Sequence, residues 1–255
     1  MTTVLDRFLR YVQYDTQSDE ASTTYPSTET QLVLLRDLAS ELQAIGLADA
    51  ALDQYGYVTA TIPATTVKGS VPTIGFIAHV DTSPEMAGAG VRPIVHRQYD
   101  GRDIVLPDDP SAVLRLADIP ALREQIGHDI VTASGTTLLG ADNKAGVAEI
   151  VTAAAYLVEH PEIPHGRVRV AFTPDEEVGR GTQHFDVRAF GAQYAYTMDG
   201  GSRGEVEIES FSADAITDRG SRSLACRRRT SSPASTTSIR GWSGSRRRTW
   251  RRRSR

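Results

Sequence analysis

The sequence predicts an α/β domain with a twisted, largely parallel central sheet flanked by helices, and three observations predict it. Downstream of Thr136 the apolar pattern alternates in period: a helix over 143–160, a strand over 167–172, a helix near 182–190 and a strand over 193–198. Upstream, the apolar run Ile74 to Ala78 has strand length and reads as buried. Four strand ends or turns then deliver a histidine or an acid, and in open α/β sheets ligands gather at the carboxyl edge of the strands.

In chain order, Thr3 to Tyr14 reads as a short helix with Val4, Phe8, Leu9 and Val12 on one side. Thr28-Glu29-Thr30-Gln31 has the form of a capping box opening a second helix, whose core stripe of Leu35, Leu38, Leu42 and Ile45 ends at Gly46. Asp53 to Ile62 reads as a hairpin turn and an alternating strand, and Thr73 to His79 as a buried strand. The pattern weakens between Ser83 and Thr137. Val91 to Tyr99 fits a strand, Arg102 to Asp118 with Pro107 and Pro110 reads as a long surface excursion, and Pro120 to Ile126 fits a helical turn. Thr136 to Leu139 leads into a turn holding Asp142, and no internal repeat is visible.

The chain has 255 residues, enough for one large domain or two small ones with a sizeable core. Cys226 is the only cysteine, so a disulfide framework is excluded, a reducing cytoplasm fits, and Cys226 is expected to be incidental. Met1 to Tyr14 is amphipathic, with Asp6, Arg7 and Arg10 where a signal peptide needs an unbroken apolar core. No apolar run approaches the ~18 residues of a membrane span. A soluble, cytoplasmic protein with no membrane partner is expected. Residues 1–218 hold 15 basic against 32 acidic residues, a balance of −17, whereas 219–255 hold 13 Arg and no acid. Such an arm could neutralise nucleic-acid phosphates, and a non-catalytic binding protein with a basic tail is the reading that competes with an enzyme.

The chemistry-bearing motifs favour the enzyme. A β-branched strand, Val168 to Phe172, runs out into Thr173-Pro174-Asp175-Glu176-Glu177. Adjacent residues leaving a strand point different ways, so one carboxylate can ligate a metal while its neighbour handles a proton. Taken alone, acids after a proline also open ordinary helices. His79 and Asp81, two residues apart at a strand end, suit a ligand and the group that orients it. Asp142 sits in a Gly-flanked turn before the apolar stretch Val147 to Leu157, where it could equally cap a helix. Tyr194 to Met198 is a short strand ending in Asp199-Gly200-Gly201, in which Asp199 could also be a turn residue. His96, His128, His160, His165 and His184 match no metal spacing and read as surface or packing residues.

The segments HVDTSPEM (79–86), TLLGADNKAGVAEI (137–150), RVAFTPDEEVGRGTQHFD (169–186) and YTMDGG (196–201) closely resemble the di-zinc exopeptidase family that includes carboxypeptidase G and the aminoacylases, and within it the tripeptide aminopeptidases. The likeness runs from the first helix to about Ala215. It implies that His79 ligates a first zinc, Asp142 bridges two ions, Asp199 completes the first shell and Glu177 ligates the second. It implies that Glu176 is the general base, taking a proton from a bridging water and passing it to the leaving amine, and that Asp81 fixes the His79 tautomer. Two Zn²⁺ are expected, with Co²⁺ or Mn²⁺ as alternatives, since imidazole and carboxylate ligands suit these ions. The implied substrates are short peptides with a free amino terminus. A deacylase or carboxypeptidase of the same family is the alternative.

Beyond Ala215 the likeness stops. The resembling enzymes insert a smaller lid domain there, which also forms dimers, and then return to the first domain with a last histidine ligand. This sequence has no histidine after His184. The expected organisation is therefore an incomplete catalytic domain over 1–215 and a disordered Arg/Ser-rich tail over 216–255, with neither lid nor family-like homodimer. Codons can be chosen for 229–250 so that another frame spells the family's returning segment, so a deletion and frameshift are expected.

Overall fold

The computed structural model describes residues 2–66, 68 and 71–199. The expected tail over 216–255 with Cys226, and the Gly200-Gly201 end of the last motif, lie outside the described residues. The elements are α1 (Val4–Tyr11), α2 (Gln31–Ala44), β1 (Ala51–Leu52), β2 (Val58–Ile62), β3 (Ile74–His79), β4 (Ile94–His96), β5 (Ile104–Leu106) and β6 (Asp109–Leu114). A 3-10 turn (Pro120–Gln125), β7 (Ile130–Thr132), α3 (Ala141–Glu159), β8 (Val168–Thr173), α4 (Val187–Phe190) and β9 (Tyr194–Thr197) complete the order.

The central sheet has the order β1-β2-β8-β3-β9, and helices flank it as expected of an α/β domain. It is mixed: β8, β3 and β9 run parallel, while β1 and β2 add an antiparallel margin. Connection length explains the difference. β1 and β2 are joined by a tight turn in which Asp53 Oδ1 accepts the N–H groups of Tyr55 and Tyr57, and such a hairpin can only be antiparallel. A parallel pair needs a long crossover, and α3 lies in the one from β3 to β8. The β3–β8 register pairs His79 with Thr173, and the β3–β9 register pairs Ile77 with Thr197. Three chains therefore leave the sheet at nearly one level.

The core forms where α1, α2 and α3 pack on this sheet. Phe8, Tyr11 and Val12, then Leu34, Leu35, Leu38 and Leu42, then Val147, Val151 and Ala154 are fully buried with Val58, Val170 and Phe172. Each such leucine contributes roughly 1.5–3 kcal/mol of burial. No helix among the described residues is long and apolar enough to cross a membrane.

Several local expectations are corrected. The capping box is on α1, where Thr3 Oγ1 accepts the Asp6 N–H and Asp6 accepts the Thr3 N–H. At α2 the cap residue Thr30 is already helical and makes no capping bond, while Thr28 Oγ1 donates to the Gln17 carbonyl. The expected surface excursion holds a β5–β6 hairpin, which packs with Tyr99, Leu122 and Ile130 as a second small core. The strand expected over 91–99 shortens to β4. The helix expected near 182–190 is only α4, because residues up to 185 form turns and Asp186 caps this one short helix through the Ala189 N–H.

Candidate metal centre

His79, the last residue of β3, is 4% exposed and its ring is held from behind. Nδ1 lies 3.2 Å from Asp81 Oδ1 and 3.1 Å from the Asp81 carbonyl, which leaves Nε2 facing the open edge of the sheet. There it meets Asp142 Oδ1 at 3.0 Å, Glu176 Oε2 at 3.8 Å and Asp199 Oδ2 at 4.0 Å. Ligand atoms of His79, Asp142 and Glu177 lie within 4.8 Å of one another. The residues singled out in the sequence thus come together at the carboxyl ends of β3, β8 and β9 and the start of α3.

Asp81 does more than orient the imidazole. Its fully buried carboxylate accepts the Glu176 N–H at 3.0 Å through Oδ1 and the Glu177 N–H at 3.1 Å through Oδ2. One side chain therefore ties the turn after β8 to the end of β3. Asp142 is placed by the left-handed Gly140 before it and by the close approach of β9 to α3 at Gly146. A Cβ on Gly146 would collide with the Met198 carbonyl, so only glycine lets Asp199 reach this point.

The electrostatics are those of a site short of positive charge. Burial works against protonation of His79, yet hydrogen bonds to Asp142 and Asp81 and the nearby Glu176 hold its pKa well above the usual range. Burial, then the charge of Asp142, pushes the Glu177 carboxyl up to about 7. Burial also raises Glu176, with Asp199, Asp81 and Asp142 adding to the effect and His79 opposing it. Asp142 is lowered by its hydrogen bond with His79. Lys144 is buried and donates to the Tyr14 carbonyl at 2.7 Å; burial pulls its ammonium down to about 7 against the pull of Asp15 and Asp81.

Five carboxylates around one imidazole are a donor set for hard or borderline divalent cations, whose charge would offset the burial and the repulsion that raise Glu176 and Glu177. Among the described residues, His79, Asp142 and Glu177 lie close enough together to share one ion. Chemically, the arrangement can hold cations beside a half-exposed carboxylate, Glu176, that remains available to a proton.

Sequence reasoning missed the support behind this edge. Gln31 reads only as the end of a capping box and Ser27 has no reading at all, yet both bond to the buried Asp175 that precedes the glutamate pair. An amphipathic count cannot show a polar contact made across 144 residues. Of the histidines read as surface or packing residues, His184 stacks on Tyr55 with ring centres 4.3 Å apart, and His96 bonds Thr132 on the neighbouring strand.

Comparison with known proteins adds to this geometry. Residues 132–218 match the family model described as peptidase family M20/M25/M40. Over 210 residues the chain is 58% identical to peptidase T of Geobacillus sp. (strain WCH70), covering 82% of this chain and 51% of that protein. Peptidase T of Caldanaerobacter subterraneus is 54% identical over 213 residues, covering 84% and 52%. Among solved structures, aminopeptidase PepT from Bacillus cereus superposes with a TM-score of 0.54 at 25% identity, over 78% of this chain and 43% of that one. A tripeptidase from Staphylococcus aureus shares the fold with a TM-score of 0.55 at 24% identity, over 78% and 43%. The chain spans about half the length of the curated relatives it matches.

Proposed function

Because residues 132–218 match the model of peptidase family M20/M25/M40 and the chain is 58% identical to a peptidase T over 82% of its length, we propose that it belongs to that family and is built as a metal-dependent aminopeptidase that releases the N-terminal residue of tripeptides in the cytoplasm. The observation that carries the reading is the convergence of His79 Nε2, Asp142, Glu177, Glu176 and Asp199 at one sheet edge, with Asp81 behind the imidazole. His79, Asp142 and Asp199 would hold the first divalent cation, and Asp142 and Glu177 the second, with Zn²⁺ the best match to imidazole and carboxylate and Co²⁺ or Mn²⁺ able to replace it. When bound, such ions polarise a peptide carbonyl and lower the pKa of water toward neutrality.

The chain's own residues supply the rest. Asp81 holds the His79 ring so that Nε2 faces the pocket, and its grip on the amides of Glu176 and Glu177 sends the two side chains to different tasks. Glu177 is the ligand. Glu176, raised above an ordinary glutamate, takes a proton from water and returns it to the departing amine, a duty served best by a carboxyl with its pKa nearer neutrality. The second ion's place has only Asp142 and Glu177 among the named residues, so any turnover should need metal in excess.

The test is a pair of tripeptides, one free and one acetylated at its amino terminus, incubated with the chain and excess Zn²⁺ or Co²⁺. Release of the first residue from the free peptide alone is expected, with Glu176→Gln slower by about 10²–10⁴-fold. Cleavage of the acetylated peptide, or full activity in Glu176→Gln, would contradict the proposal.

A further inference from the structure

The glutamate pair is aimed by the residue before it. Asp175 is fully buried and has φ +58°, a left-handed conformation that aspartate tolerates better than most residues but that its surroundings must hold. That turn of the backbone is what sends Glu176 and Glu177 off the end of β8 toward His79. Gln31, fully buried in the first turn of α2, grips Asp175 at two points. Its Oε1 accepts the Asp175 N–H at 3.1 Å, and its Nε2 donates to Asp175 Oδ1 at 2.8 Å. The Ser27 N–H donates to Oδ2 at 2.7 Å and the Ser27 hydroxyl to Oδ1. On the far side of the turn Asp81 holds the next two amides.

The two clamps differ in origin. Asp81 belongs to the metal centre itself, whereas Ser27 and Gln31 enter from α2 and the residues just before it, and their hydrogen bonds to the turn go to Asp175 and not to the candidate ligands. The side chain of Gln31 suits the position, because the N–H of Asp175 needs an acceptor and its carboxylate a donor, and an amide offers both at once. Leucine of similar size would leave the buried Asp175 N–H without its acceptor and Oδ1 with the Ser27 hydroxyl in place of two donors.

We propose that Gln31, with Ser27, is a positioning residue that fixes the turn at Asp175 and thereby places the Glu176 and Glu177 carboxylates against His79. The inference rests on the metal-centre reading above and deepens it. It predicts that the clasp is felt at the turn and at the metal, and not in the strand that precedes them.

The experiment compares the full chain with Gln31→Leu and Ser27→Ala by two readouts. Hydrogen exchange without metal reports the amides of Glu176 and Glu177 against those of Val170 to Phe172, and titration with Co²⁺ followed by its visible absorption reports affinity. In Gln31→Leu the two glutamate amides should exchange at least about tenfold faster with the strand unchanged, and Co²⁺ should bind about 10–100-fold more weakly, the usual cost of losing a partner behind a metal ligand. Ser27→Ala should move both readouts in the same direction by less, and it decides the matter if Gln31→Leu does not fold. Unchanged exchange in a folded variant overturns the proposal, and so does faster exchange at wild-type Co²⁺ affinity. If the unaltered chain gives no Co²⁺ spectrum, the metal reading itself fails, while the exchange comparison still decides the clasp.

Discussion

At the scale of single residues, the centre is a balance of like charges that has a measurable signature without any ion. Glu177 has its carboxyl raised from 4.5 to about 7 in the fold, first by burial and then by Asp142. Between those two values the folded state binds more protons than the unfolded chain, so stability falls as pH rises through that window. A metal-free sample unfolded in urea at pH 5 and again at pH 7 should be less stable at pH 7, and Glu177→Gln should flatten the slope. An equal slope in the variant would mean that the fold does not hold the Glu177 carboxyl above its ordinary value. The same residues were the most legible part of the sequence. His79, Asp142, Glu176, Glu177 and Asp199 each follow or precede an apolar run that has no structural need of them. Ser27, Gln31 and Asp175 were not legible, because serine and glutamine near a helix start have an ordinary local use and their actual partners are distant.

At the scale of elements, two approaches bring the site together. Gly146 lets the end of β9 touch α3, and Gly146→Ala should push the Met198 carbonyl and Asp199 away from Asp142. The expected result is a folded chain whose Co²⁺ affinity falls by at least about tenfold, on the scale of a displaced metal ligand or its support; wild-type affinity would show that β9 need not sit so close. The hydrophobic stripe of α2 carries stability instead. Leu38 is fully buried, and Leu38→Ala should cost about 2–5 kcal/mol in urea unfolding, a loss below about 1 kcal/mol refuting the packing described. Strongly periodic elements such as α2, α3, β3 and β8 could be read from their patterns. The β5–β6 hairpin could not, since Pro107 and Pro110 look like breakers. Here Pro107 sits in the two-residue turn set by the Leu106–Asp109 pairing, and Pro110 near the start of a strand in a two-stranded ribbon, where a missing N–H is tolerated.

At the scale of the whole molecule, the parallel half of the sheet converts register into chemistry. Pairing His79 with Thr173 and Ile77 with Thr197 lets three separate chain exits meet, and a shift of one residue in either pairing would turn the critical side chains to opposite faces. α/β alternation made the class of fold legible, and the turn at Asp53 the hairpin of β1 and β2; the antiparallel pairing of β2 with β8 was not, because periodicity carries no strand direction. Cations that bind only the folded chain must stabilise it, by about 2.7 kcal/mol at a hundredfold excess over the dissociation constant. The most direct test of the centre is therefore a Zn²⁺ titration of the purified, metal-stripped chain by calorimetry, with His79→Ala and Asp142→Ala beside it. One tightly bound ion per chain, a weaker second, and loss of the tight site in both variants is the predicted result. No binding by the unaltered chain, or tight binding that survives both substitutions, would contradict it.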